Sequence, residues 1–222
     1  MSGRARLLQA CVQATNSVTK PEIKTPELKA DADDFITEQH KTTKAFEYYR
    51  ELDAYTIFYQ NNRDFLKSLR QILETEAPLS EEYYLKRIVP IFGREKVTSA
   101  VINSFDYYIN GYEAYGITRK NGFMFLNDKD IKLRIPYKDP STNKYTDKRD
   151  LKYISGEELA EGMAVLIKEN VSISKDNLYK SLCNLLGFRS GATVNGKFDE
   201  VLNLLVSAHR VSVDDNMMIS LV

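Results

Sequence analysis

Residues 65–93 read FLKSLRQILETEAPLSEEYYLKRIVPIFG, and residues 159–187 read LAEGMAVLIKENVSISKDNLYKSLCNLLG. The pairs Leu79/Ile173, Ser80/Ser174, Ile88/Leu182 and Gly93/Gly187 each stand 94 positions apart. Identity is low, but the apolar pattern and the punctuation coincide, which marks two copies of one small unit. In the first copy Phe65, Leu69, Ile72 and Leu73 form the apolar stripe of a helix. Its cap would be Asn61 or Asn62. Ala77-Pro78-Leu79 connects to a second helix, started by Ser80 with Glu81 and Glu82 in its first turn and stopped by Gly93.

A third helix is expected over residues 95–110, with Val97, Val101, Phe105, Tyr108 and Ile109 on its apolar face. Apolar runs at 114–119 and 123–126 then flank Lys120-Asn121-Gly122, and Asn-Gly between such runs is a strong hairpin signal. Three helices followed by a hairpin is the order of the winged helix-turn-helix.

The second copy repeats the plan. Ser155 with Glu157 and Glu158 starts its first helix, and Ser174 starts its second. Val97/Val194, Val101/Phe198, Phe105/Leu202 and Ile109/Val206 pair the third helices at an offset of 97. This places three extra residues within Arg189-Ser190-Gly191. Residues 211–213 and 217–221 are the second wing, turning at Asp214-Asp215-Asn216. The expected fold is mainly α with small β wings (α+β), in tandem winged helix-turn-helix repeats.

The remaining chain divides around the copies. Residues 1–61 hold an amphipathic helix with Leu7, Leu8, Cys11 and Val12 on one face, a Pro/Lys linker at 16–34, and a Tyr- and Phe-rich segment expected to form a helix. The first unit spans 62–135, with Lys132, Leu133, Arg134 and Ile135 extending its wing. Residues 136–153 are a polar linker, and the second unit spans 154–222.

Lys and Arg together number 31, as do Asp and Glu, so the net charge is zero. That argues against a strong sequence-independent grip on nucleic acid and leaves only local basic patches. Cys11 and Cys183 are too few and too far apart for a disulfide framework, which fits a reducing cytoplasm. No apolar run approaches the roughly 18 residues of a membrane span, so no membrane partner is expected.

No phosphate-binding glycine loop, nucleophile elbow or zinc-helix motif occurs. His40 and His209 stand apart, so no metal, cofactor or catalytic residue is expected. The acidic pairs Glu81-Glu82, Glu157-Glu158 and Asp214-Asp215 read as caps and solvated turns rather than catalytic carboxylates. Tyr83-Tyr84 and Tyr107-Tyr108 could stack on bases, though Tyr84 and Tyr108 suit the core.

In winged-helix proteins the third helix enters the major groove and the wing touches the backbone. The candidate contacts are therefore Arg94, Lys96, Arg119 and Lys120 in the first unit and Arg189, Lys197 and Arg210 in the second. Asp106, Asp199 and Glu200 on the same helices oppose phosphate. Solvated surface charge is the competing reading, and the first unit is the better candidate for nucleic acid.

EAPLSEEYYLKRIVPIFG and ISGEELAEGMAVLIKENVSISKDNLYKSLCNLLGFRSGATV resemble the uncharacterised C-terminal domain of large bacterial superfamily 1 helicases that also carry a very-short-patch-repair-type endonuclease domain. The shared positions are mainly core and capping positions. The resemblance implies a non-enzymatic accessory beside a helicase or nuclease, binding or positioning DNA; the alternative is a protein–protein scaffold without nucleic-acid contact. Two further features suggest a detached tail, an N-terminal helix suited to close a preceding domain and the Pro/Lys linker after it, so the chain is expected to be a fragment, a split gene product or a stand-alone relative.

Overall fold

The computed structural model describes residues 45–54 and 65–222. The helix expected at 1–16, the linker at 16–34, the Asn61/Asn62 cap and most of the aromatic segment lie outside the described residues. Within them the chain is mixed α+β with small sheets.

The first unit opens with α1 (Phe65–Glu76), whose Leu69, Ile72 and Leu73 are fully buried. Strand β2 (Leu79–Ser80) leads directly into α2 (Glu81–Ile88), and the Ser80 hydroxyl accepts from the Tyr83 amide as its N-cap. A 3-10 turn, Val89–Phe92, ends at Gly93 with φ 68°, the left-handed stop that glycine adopts without penalty. Helix α3 (Ser99–Tyr108) starts later than its apolar pattern implies, because Thr98 takes the N-cap and leaves 95–97 in the loop. A second 3-10 turn (Tyr112–Tyr115) precedes the hairpin of β3 (Ile117–Lys120) and β4 (Phe123–Leu126). Asn121 and Gly122 both have positive φ, as a two-residue hairpin turn requires. The sheet order is β2-β4-β3.

The second unit has the same order of elements. Helix α4 (Gly156–Asn170) is followed by β8 (Ser172–Ser174), α5 (Lys175–Leu186), α6 (Ala192–Ser207), β9 (Val211–Val213) and β10 (Met218–Leu221). Ser155 and Ser174 cap α4 and α5, and Gly187 stops α5 at φ 68°. The sheet order β8-β10-β9 matches that of the first unit, strand for strand.

Two expectations about α6 change. Four residues separate Gly187 from α6 and five separate Gly93 from α3, so the extra residues lengthen the helix, to 16 residues against 10, and not the turn. Val206, matched to the fully buried Ile109, is exposed, and Leu205 is buried.

The aromatic segment and the linker also differ from expectation. Phe46–Tyr48 is a strand, β1, and not part of a helix. It pairs in parallel with β5 (Leu133–Ile135). Leu133–Ile135 therefore leaves the first wing, and Leu133 packs in the core of the second unit. It lies tight against α4, where a Cβ on Gly162 would stand 2.5 Å from Leu133 Cδ2. Within the linker β6 (Tyr137–Lys138) and β7 (Tyr145–Thr146) form a further hairpin, and a 3-10 turn spans Leu151–Tyr153.

Candidate functional site

The predicted contact residues meet different fates. Arg94 and Lys96 sit exposed on the loop before α3, and among the described residues neither has an ion-pair partner. Arg119, on β3, is already committed. It donates two hydrogen bonds to Glu81, at 2.9 and 2.6 Å, and one to Asp106 at 2.9 Å, while lying over the Phe105 ring. These bonds fasten the β3–β4 hairpin to α2 and α3, and the Glu81 carboxylate raises the Arg119 pKa further. Lys120, at the wing tip, pairs at 2.9 Å with Glu157 in the first turn of α4. The β3–β4 hairpin thus faces the second unit.

In the second unit Lys197 pairs with Glu200 and Arg210 with Glu161. Arg189 is exposed and has no ion-pair partner among the described residues. The turn between β9 and β10 is closed by the Asp214 carboxylate, which accepts from the Asn216 and Met218 amides at 2.9 Å.

The third helices present little positive charge. Helix α3 exposes Ile102, Asn103, Asp106 and Tyr107, and α6 exposes Leu204 at 65% together with Val206, Asn203 and Glu200. Of the tyrosines considered for stacking, Tyr84 is buried in the first core, and its phenol is pushed up by burial. Tyr83 packs on Tyr153 at 4.7 Å between ring centroids.

Two buried ionic clusters lie among the described residues, and the first departs from the sequence expectation. Glu158, read from sequence as a capping, solvated acid, is fully buried. Its carboxylate accepts from the Arg134 amide at 2.9 Å and pairs with the Arg134 guanidinium at 3.0 Å and with Arg149. Arg134 also donates to the carbonyls of Glu76 and Pro78, in the first unit, and Arg149 donates to the Arg134 carbonyl at 2.7 Å. The Tyr49 ring faces both guanidinium groups, at 4.5 Å for Arg149 and 5.5 Å for Arg134. Burial opposes ionisation of Glu158, but Arg149 and Arg134 outweigh it and hold the carboxyl below the usual range.

The second cluster centres on Glu76, also fully buried, which accepts from the Leu52 amide at 2.8 Å and pairs with Arg87. Here burial prevails over a single arginine, and the carboxyl is raised. Arg87 also donates to the Leu52 carbonyl, which pins residues 51–54 against the first unit.

One sequence signal pointed toward the first cluster. Ser155-Gly-Glu-Glu158 has the spacing of a capping box, and the Ser155 hydroxyl does accept from the Glu158 amide at 3.1 Å. The box glutamate, however, turns inward to the arginines. Arg134 between Leu133 and Ile135 was the other clue: a charge inside an apolar strand needs a buried partner.

Among the described residues no group of three or more His, Cys, Asp or Glu is placed to hold a metal ion, and no helix is long and apolar enough to cross a membrane. No known protein family, curated protein or solved structure matches the chain.

Proposed function

We propose that the chain is a non-enzymatic tandem winged helix-turn-helix module whose third helices bind a protein partner. The common element order and sheet order of the two units support the winged-helix assignment. The observation that carries the partner assignment is the character of the third helices: their exposed faces offer Ile102, Tyr107, Leu204 and Val206, with Lys197 already paired to Glu200. Apolar and aromatic anchors of this kind serve protein interfaces, whereas groove reading leans on basic side chains, of which these helices carry only the paired Lys197. The resemblance seen in the sequence makes a helicase or nuclease subunit the first partner to test. Sedimentation of the chain with a superfamily 1 helicase–nuclease should show a complex that Ile102→Asp with Leu204→Asp removes. A complex indifferent to both substitutions would overturn the assignment.

The DNA-positioning reading keeps a narrower footing. It rests on Arg94, Lys96 and Arg189, which are exposed on the loops leading into α3 and α6 and carry no ion-pair partner among the described residues. Binding of labelled duplex across a salt series, with Arg94→Gln and Lys96→Gln as variants, tests that reading directly.

A further inference from the structure

We propose that the linker hairpin and the turn before α6 together form a binding surface for the phosphodiester backbone of nucleic acid. The hairpin of β6 and β7 is seated on the end of α5. Tyr145 donates its hydroxyl hydrogen to the Asn184 carbonyl at 2.5 Å, and its ring lies 2.9 Å from where a Cβ on Gly187 would stand. Lys148 Nζ lies 4.7 Å from the centre of the Phe188 ring, and Lys138 Nζ lies 5.5 Å from that of Tyr145. These contacts bring Lys138, Lys148 and Arg189 to one neighbourhood. Lys144 lies just before Tyr145 on the return of the hairpin, and Lys180 lies one turn before Asn184 on the same face of α5.

Among the described residues none of these five cations has a carboxylate within ion-pair distance. Of the other cations in residues 134–222, Arg134, Arg149, Lys152, Lys175, Lys197 and Arg210 are each held by one, and Lys168 on α4 is not. Asp139, at the hairpin tip, is taken up by the turn itself: its carboxylate accepts from the Ser141 amide and from the Ser141 and Thr142 hydroxyls. Asp147, Asp150 and Asp176 flank the surface in sequence but pair with none of the five.

The chemistry fits a polyanion better than an acidic protein. A protein interface is organised around desolvated aromatic or arginine anchors. Here both rings are half-buried, with lysine ammonium groups packed on them, so the partner meets charge and not bare apolar surface. Spread over a hairpin and a helix turn, such charges match the repeating phosphates of a strand and carry no base information. The surface shares Arg189 with the DNA reading above but needs neither Arg94 nor Lys96.

The test is fluorescence anisotropy of the full chain with a labelled random-sequence duplex, and separately a single strand, across a salt series. The variant Lys138→Gln/Lys144→Gln/Lys148→Gln/Arg189→Gln should lower affinity at least tenfold at low salt. On duplex it should flatten log K against log salt by roughly 3 to 4, at about 0.9 for each phosphate no longer neutralised. Arg94→Gln/Lys96→Gln should leave both unchanged. Lys144→Glu alone, at an exposed position with no ion pair among the described residues, should weaken binding several-fold with an unaltered circular dichroism spectrum. Three results would each overturn the proposal: no binding by the unmodified chain at low salt, wild-type affinity and slope in the quadruple variant, or competition by poly-glutamate as effective as that by the oligonucleotide.

Discussion

Replacing Glu158 with Ala should be among the most damaging single changes in the chain. The side chain is fully buried and is the shared carboxylate partner of Arg134 and Arg149. Removing it leaves two guanidinium groups in a dry site, with only carbonyls and the Tyr49 ring as partners. Removing one partner of a buried ion pair costs roughly 3–5 kcal/mol, and with two arginines stranded the loss should fall in the upper part of that range, about 4–5 kcal/mol. Glu158→Gln keeps the shape and one acceptor oxygen, and should cost less, about 2–3 kcal/mol. Urea denaturation followed by far-UV circular dichroism measures both; the chain has no tryptophan to report instead. The pH dependence has a definite sign. The folded carboxyl is held below its usual value, so its contribution is complete above the unfolded carboxylate pKa of roughly 4.3 and is lost as pH falls through the folded value. The gap between wild type and Glu158→Gln should therefore be full at neutral pH and narrow in acid. A loss below about 1 kcal/mol for Glu158→Ala, the range of an exposed pair, would refute the description of this cluster as a buried lock.

Gly162→Ala should destabilise by about 1–3 kcal/mol, the usual range for an overpacked core, because the new methyl would lie 2.5 Å from Leu133; thermal denaturation reads it, and a neutral result would mean that β5 can slide off α4. Arg119→Gln should lower the melting temperature while leaving nucleic-acid affinity unchanged, since its guanidinium is spent on Glu81 and Asp106; a selective loss of affinity would show that the wing is released on binding. Glu82, held at about 2 by Lys152 and Lys86, supplies an exposed, salt-screened contribution that is present above the usual carboxylate range and lost as pH falls toward 2. Glu82→Gln should therefore reduce the acid-side loss of stability at low ionic strength, and equal acid titrations of the two proteins would count against those pairs.

The parts legible in the sequence were those set by local rules. Ser80, Ser155 and Ser174 announce helix starts because a hydroxyl can satisfy an orphan amide only at that place. Gly93 and Gly187 announce stops because the left-handed turn excludes most side chains. Asn121-Gly122 fixes a hairpin for the same reason. The strand Phe46–Tyr48 was illegible because its partner, Leu133–Ile135, lies far along the chain and nothing local demands the pairing. Val206 was misplaced because Leu205 and Val206, three and four residues after the buried Leu202, are both apolar and both fit helical spacing.

The charged residues show the same division more sharply. Sequence identifies a cation but not the carboxylate that folding brings to it. Arg119 and Lys120 look like wing contacts until Glu81, Asp106 and Glu157 arrive from α2, α3 and α4. Arg134, which reads as an extension of the first wing, joins Glu158 to carbonyls of the first unit, and Arg149, in the stretch that reads as polar linker, pairs with the same carboxylate. A neutral chain such as this one can still expose positive charge wherever folding fails to supply the partner. Among the described residues Arg94 and Lys96 form one such place, and Arg189 with the lysines of the linker hairpin forms the larger. The pairs already made therefore indicate where an anion can bind more reliably than the cations themselves, because each internal pair removes a candidate that composition and spacing had counted.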